Sequence, residues 1–436
     1  MKNVQVEEVA AASEKAALPE RVQEALGELV GAAKEGLLAL SVGVGLGVMY
    51  ELMQCEVEEA CGPKGKHDAE RVAYRHGSDD GQVTLGGRRV AVERPRMRSK
   101  DGGELPLATY EHFASRDELS RVVMERMLAG VSARRFTRTQ EPVGEEVEAK
   151  ARSTSKSSVS RTFIARTAET LAGLMSRRLD DVRLAVLMLD GIELKGHTNV
   201  VALGITTDGV KVPLGLWEGS TENKAVATAL LSDLVARGLD VEQGVLVVLD
   251  GSKALRAAVD AVLGSRTPVQ RCVRHKERNV LDHLPERDRP AVKRRLRSAW
   301  AKDDHERALG ELQALASELE RSHPGAAASL REGMAETLTV TRLGARGALK
   351  RTLQSTNPIE SMIECVRRSS RNVKRWQSGE MCLRWTAAGM LEAERQFRRI
   401  VGHKDLAKLA LAVEREVAEP ALDTHRSKEA ATLATI

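Results

Sequence analysis

Two apolar runs in this chain each end in Asp-Gly. The first is Leu-Ala-Val-Leu-Met-Leu-Asp-Gly at 184–191, the second Val-Leu-Val-Val-Leu-Asp-Gly at 245–251. Continuous aliphatic runs of this length suit strands buried on both faces of a sheet. Asp190 and Asp250 then fall at the C-terminal ends of strands, where open α/β sheets place their ligands. A later acid, Glu360, stands in Ser-Thr-Asn-Pro-Ile-Glu at 355–360. Mg²⁺ (or Mn²⁺) needs only two or three carboxylates, because it keeps several waters and takes substrate phosphate as a further ligand. Two such ions can activate an attacking hydroxyl and stabilise the leaving oxygen of an in-line displacement. The chemistry expected is metal-dependent phosphoryl transfer, with Asp190, Asp250 and Glu360 as catalytic residues and metal ligands.

Each signal has a plainer reading. A single Asp-Gly after a strand is an ordinary turn; it is the pair, each after a strand of the buried type, that argues for a site. Glu360 follows Pro358, which presets a helix's first turn, and Asn357 makes a good N-cap. An acid there also simply suits the helix dipole. The same stretch goes on to Arg367, Arg368, Arg371, Lys374 and Arg375, which are expected to clamp DNA phosphates beyond the metal. Cys272 and His275 form Cys-x-x-His, half of a zinc site with no convincing second pair. A packing or hydrogen-bonding role is the expectation for them. Trp300, an aromatic in basic surroundings, is a candidate for stacking on an unpaired base.

The elements that would position these residues follow in order. Residues 1–63 read as helical, with Leu18, Val22, Leu26 and Val30 four apart and a renewed pattern from Gly36 to Cys61, a candidate dimer seam. Residues 64–116 carry a basic β-hairpin: Gln82–Leu85 and Arg89–Val92 flank Gly86-Gly87, and Arg88 and Arg89 are candidate phosphate contacts. Residues 117–180 read as a helix-turn-helix-like DNA-binding domain. In it a hydroxyl-rich helix start, 153–161, presents Lys156 and Arg161 to DNA, although Ser and Thr there also simply cap helices. The acidic stretch 141–148 looks like a linker before it. Residues 181–275 read as three strands, a helix, a strand, a helix and a short strand, the ribonuclease-H-like order. Residues 276–350 lack strand signals and read as an all-helical insertion. Residues 351–418 return as helices of the catalytic domain, and 419–436 as a disordered tail.

Composition bounds the rest. At 436 residues the chain exceeds one ordinary core. A net charge of +5 is small for that length, so the placement of charge matters more than its sum. Aromatics are only 3%, so the cores must be built from Leu, Val and Ala. Five scattered cysteines give no disulfide framework and favour a reducing cytoplasm. The N-terminus lacks the features of a signal peptide, and the apolar run 36–50 is short for a bilayer span. No membrane partner is expected.

Four motifs taken together are familiar: Leu-Asp-Gly at 189–191, Leu-Asp-Gly-Ser-Lys-Ala-Leu-Arg at 249–256, Gln-Arg-Cys-x-x-His-Lys-x-Arg-Asn at 270–279 and Ser-Thr-Asn-Pro-Ile-Glu-Ser at 355–361. In this order they resemble the Mutator-type transposases of bacterial insertion sequences, over roughly residues 30–415. The resemblance implies that the family's Asp-Asp-Glu triad falls on Asp190, Asp250 and Glu360. It implies an α/β ribonuclease-H-like catalytic domain interrupted by a helical insertion, and a mainly helical N-terminal region that reads terminal inverted repeats. One departure is Ile363, where the family often has Asn. The function expected is a DNA transposase, acting in the bacterial cytoplasm at the nucleoid as a homodimer or higher multimer on double-stranded inverted-repeat and target DNA. The rivals are a non-catalytic DNA-binding regulator and a ribonuclease-H-like nuclease.

Overall fold

The structure is a computed structural model, and it describes residues 36–418 apart from 67–69, 86, 142, 153 and 220–222. The amphipathic pattern before residue 36 and the tail from 419 lie outside the described residues. The chain divides into two compact units. One takes in the described residues up to Met127 together with Val131–Phe163; the other comprises Leu128–Gly130 and the chain from Ile164.

The first unit is built on a long antiparallel hairpin, β1 (Ala73–Leu85) and β2 (Arg88–Ser99), closed where Leu85 pairs with Arg88. Gly87 has φ 85°, and a Cβ there would stand 2.8 Å from a methyl of Val122, so only glycine suits both backbone and space. Two short strands, β3 (Glu104–Leu105) and β4 (Ala151–Arg152), also pair with β2. Helix α1 (Leu37–Cys61) lays Met49, Met53, Val57 and Cys61, four residues apart, onto Val83, Val90 and Met97 of the hairpin. That burial explains the apolar spacing of its second half. Its first half, with Leu37, Val44 and Val48 exposed, makes the helix as a whole long and apolar enough to cross a membrane by length and composition. Helices α2 (Ala108–Ala114), α3 (Arg116–Leu128), α4 (Glu145–Ala149) and α5 (Lys156–Ser176) follow, with the boundary between units inside α5.

Two sequence expectations change here. Arg88 and Arg89 do not face solvent; they are 1% and 8% exposed. Arg88 donates to the Glu148 carboxylate and, at 2.8 Å, to the Glu141 carbonyl, while Arg89 donates to the carbonyls of Gln82 and Ala114 at 2.9 and 2.6 Å. A guanidinium can be buried when carbonyls take its protons, and these two brace the hairpin rather than offer phosphate contacts. The acidic stretch 141–148 is therefore no linker: it contains the start of α4 and Arg88's partners. The hydroxyl-rich start of α5 is a cap, because Ser155 Oγ accepts from Ser158 N at 3.2 Å. The helix begins at Lys156, with Lys156 and Arg161 exposed.

The second unit holds a five-stranded sheet in the order β7-β6-β5-β8-β9. Its strands are β5 (Leu184–Leu194), β6 (His197–Thr206), β7 (Lys211–Gly219), β8 (Leu246–Leu249) and β9 (Val269–Arg271). The first three pair antiparallel; β8 and β9 run parallel to β5. Side chains alternate across the sheet. Leu187 and Leu189 pack on one face against α6 (Lys224–Ala236) and α7 (Lys253–Val262). Val186 and Met188 pack on the other, against helices from the end of the chain.

Between β9 and those helices comes a wholly helical stretch: α8 (Val273–Asp282), α9 (Arg289–Ala301), α10 (His305–Ser322), α11 (Pro324–Arg331), α12 (Thr339–Arg342) and α13 (Gly347–Leu353). It has a core of its own, from Val280 to Leu338, with Trp300 inside it. The chain then returns as α14 (Asn357–Ser370), α15 (Gly379–Glu394) and α16 (Leu406–Ala418) against the sheet. Helices α14 and α15 approach closely at Gly389, where a Cβ would stand 2.8 Å from the Cα of Val366. Backbone cannot yield as a side-chain tip can. Gly389→Ala is therefore expected to cost about 1–3 kcal/mol, the usual range for overpacking. A urea midpoint unchanged from wild type would show that the two helices separate freely.

Candidate active site

Strand register brings the two aspartates together. Strands β5 and β8 pair through Val186↔Leu246, Leu187↔Val247 and Met188↔Val248. Continued two residues further, this register points Asp190 towards Asp250, and the Asp250 charge does act on Asp190. Alternation gives Asp190 the face of Val186 and Met188, which is the face that α14 covers. Asp190 is not the last residue of its strand, as the sequence suggests. Strand β5 continues antiparallel to β6 as far as Leu194 and turns at Lys195-Gly196. Only its pairing with β8 stops short, and this opens the sheet beside Asp190. The Asp190 Oδ1 accepts from Gly191 N, and the Asp250 Oδ1 from Ser252 N, both at 2.8 Å.

Burial pushes the Asp190 carboxyl up to about 7, and the Asp250 charge adds to the rise. The Gly191 amide and His275 pull it back; Glu360 pushes it up again. Asp250, His275 and Glu360 thus all lie within electrostatic reach of Asp190.

Glu360 sits in the first turn of α14. The helix is entered at Thr356, not Asn357, and the Thr356 side chain caps no backbone amide. Instead its hydroxyl donates to Glu360 Oε1 at 2.5 Å and stands 3.4 Å from both Cys272 Sγ and His275 Nδ1. Thr356 N donates to the same sulfur at 3.4 Å. His275 Nδ1 is 3.9 Å from Glu360 Oε1. Cys272, His275 and Glu360 each offer one ligand atom within 4.8 Å of the others. Burial alone would push the Cys272 thiol up, but hydrogen bonds with His275 and Thr356 outweigh it and bring it down. The bond to Cys272 is the main influence raising His275. The Cys-x-x-His pair is thus hydrogen-bonded to the same residue that holds Glu360.

Three consecutive residues of the 270–279 motif hold the site in place, in ways that spacing could not reveal. Gln270, wholly buried, donates to Thr337 O at 3.0 Å and accepts from Val340 N at 2.9 Å. Arg271 donates to Gly251 O, beside Asp250, at 3.0 Å and to Glu332 O at 3.1 Å. Its guanidinium fills the space that a Cβ would need at Gly251 or Gly333. Cys272 receives Thr356. The motif therefore ties the Asp250 turn, the helical stretch and the head of α14 to one strand end. The only signal in the sequence was the presence of Gln270, Arg271 and Thr356 inside the motifs themselves.

The remaining candidates divide. Arg367 and Arg368 are exposed on α14. Arg371, Lys374 and Arg375 are exposed too, but beyond the helix, which ends at Ser370. Trp300 has no face free for a base: it is 3% exposed and its indole N–H donates to Thr337 Oγ1 at 3.0 Å. An aromatic in a chain so poor in them is spent on the core of the helical stretch.

The donor set suits a hard divalent cation. Two half-buried carboxylates stand on neighbouring strands with Glu360 within electrostatic reach, and the repulsion that helps to raise Asp190 is what a bound cation relieves. A pH effect follows. The folded protein holds the Asp190 proton more tightly than the unfolded chain, whose carboxyl titrates at the ordinary aspartate value of 3.8. Metal-free stability from this group is full below that value and is lost as pH rises through about 7. Mg²⁺ should therefore raise the melting temperature more at about pH 8 than at about pH 5. An equal shift at both would separate the cation from Asp190.

Comparison with known proteins agrees on one family. The family described as "Transposase, Mutator family" matches residues 24–399. The chain is 28% identical over 374 residues to the transposase for insertion sequence element ISRM5 of Rhizobium meliloti (strain 1021), covering 84% of this chain and 92% of that one. It is 28% identical over 381 residues to the transposase for insertion sequence element IS1081 of Mycobacterium tuberculosis, covering 83% and 87%. A probable transposase for an insertion sequence element of Corynebacterium diphtheriae is 31% identical over 235 residues, 51% of this chain and 67% of that one.

Proposed function

The chain belongs to the Mutator family of transposases, enzymes that act on DNA, and from that membership we propose a specific chemistry for it. It binds the terminal inverted repeats of an insertion sequence, cleaves a strand at the element's end, and joins the freed 3′-hydroxyl to target DNA. The observation that carries this reading is the half-buried Asp190–Asp250 pair beside the head of α14. The sheet order, with antiparallel strands followed by parallel ones and a helical stretch before α14, supports a ribonuclease-H-like catalytic domain with an insertion.

Asp190, Asp250 and Glu360 would hold Mg²⁺ or Mn²⁺. When bound, the metal supplies an activated oxygen nucleophile and charge neutralisation at phosphorus. The chain's own groups do the rest. Thr356 holds the Glu360 carboxylate, with His275 beside it. Arg271 holds the Asp250 turn. Arg367, Arg368, Arg371, Lys374 and Arg375 supply exposed positive charge for the DNA backbone. In the first unit, Lys156 and Arg161 on α5 are exposed for the same task. Two DNA ends must be brought together before joining, so the working form is a homodimer or higher multimer, in the bacterial cytoplasm at the nucleoid.

The test is strand transfer. Purified full-length protein, a duplex bearing the inverted repeats that flank its gene, and a plasmid target are incubated with Mg²⁺. Nicked ends and joined products are expected. Nicks that never join would favour a ribonuclease-H-like nuclease; repeat binding without nicks would favour a non-catalytic regulator.

A further inference from the structure

A cleft of about 230 Å³ opens beside the entry to α14, and its lining does not belong to the carboxylate site. Arg274, Arg297 and Arg351 border it, with Glu277, Ser355 and Asn357. Glu277 is already neutralised. It receives Arg297 at 2.6 and 2.9 Å, and Lys293 stands 3.6 Å away. Arg274 and Arg351 are exposed and make no ion pair or hydrogen bond among the described residues. The cleft therefore carries uncompensated positive charge.

Two further features point to an anion. Ser355 is 3% exposed, and its Oγ is buried with no hydrogen-bond partner among the described residues. A buried hydroxyl left unpaired costs about 1–3 kcal/mol unless something arrives to satisfy it. The start of α14 is also open. Thr356 spends its hydroxyl on Glu360 and caps no amide of the helix, and with Pro358 lacking an N–H, the N–H groups of Asn357 and Ile359 are those left without helical acceptors. Such a helix start favours negative charge. Arginine forks and a hydroxyl beside it match phosphate oxygens.

We propose that this cleft is a phosphodiester subsite. It holds a backbone phosphate of the DNA strand about one turn of α14 before Glu360, so that the same helix start fixes both the strand and the carboxylate. Asn357 and Glu360 are three residues apart, about 4.5 Å along the axis. A strand seated there is aligned with the carboxylate site by a rigid element rather than by a loop. This deepens the transposase reading and rests on it.

The experiment uses the full chain and the duplex bearing the repeats that flank its gene. Arg274→Gln, Arg351→Gln and the double variant are compared with wild type across a salt series. Both side chains are exposed, and melting curves check that each variant folds. Each single change should weaken binding roughly tenfold, as for one lost charged hydrogen bond. It should also make the log–log salt slope shallower by about 0.9. Replacing one phosphate near the cleaved end by a neutral methylphosphonate should weaken wild type by a similar factor and leave the double variant little changed. Unchanged salt slopes would overturn the subsite. So would methylphosphonate effects of equal size in wild type and double variant at every position. Inorganic phosphate binding that both arginine changes abolish without altering DNA affinity would assign the cleft to a free anion and overturn it as well. If wild type neither binds nor nicks the duplex, the transposase reading itself fails, an outcome distinct from these.

Discussion

Asp190→Asn and Asp250→Asn are each expected to lower strand cleavage by at least about a thousandfold, since a catalytic cation supplies several kcal/mol of charge stabilisation. Binding to repeat DNA should stay near wild type. Asn keeps the side chain's size, and its carbonyl oxygen still accepts from Gly191 N or Ser252 N. It removes the charge that a hard cation requires. A second readout separates this outcome from damage to the fold. In the metal-free protein the two carboxylates repel, and burial and Asp250 together push Asp190 up to about 7. Removing one charge should therefore raise the melting temperature in chelator at neutral pH and shrink the increase that Mg²⁺ produces. A variant that is more stable without metal, less responsive to metal and inactive fits a cation site. Cleavage near the wild-type rate by either variant in Mg²⁺ would remove these residues from the chemistry.

How much of this was legible depends on whether the information was local. The strands around Asp190 and Asp250 announce themselves as apolar runs, and Pro358 marks the start of α14 by local backbone chemistry. Position in a ladder is not local. Asp-Gly reads as the end of a strand, yet β5 continues past it, because a sheet edge is set by where its neighbour stops. Charge misleads in the same way. Arg88 and Arg89 look like surface residues in a basic hairpin, but the carbonyl of Gln82 on the facing strand and the distant carbonyls of Ala114 and Glu141 were waiting for them. Trp300 stands among charged residues in sequence and among Leu312, Leu315 and Leu338 in space. At the candidate site the acids could be named from their motifs. Most of their supports could not, because Arg271 and Gln270 act on groups about 20 and 70 residues away through contacts that no spacing rule encodes.

Glu360 and Glu364 share a face of α14, one turn apart, and only one of them is expected to matter for chemistry. Glu360→Gln should lose both cleavage and joining, by about a hundredfold or more if it is a metal ligand. Glu364→Gln should keep most of each. The difference lies in what surrounds them. Glu360 is gripped by the Thr356 hydroxyl, stands 3.9 Å from His275, and lies within electrostatic reach of Asp190. Glu364 is exposed a turn further along, next to the buried Cys365 and Val366. Gln at 360 still offers an oxygen to Thr356, so the start of α14 should keep its geometry and the melting temperature should change little. The loss would then report charge rather than folding. Activity should not return with added Mn²⁺, because a neutral amide is a poor ligand for either ion. Should the side-by-side measurement show Glu364→Gln inactive and Glu360→Gln active, the third ligand would be one turn further along α14. The Thr356–Cys272–His275 cluster would then be holding an acid that the reaction does not use.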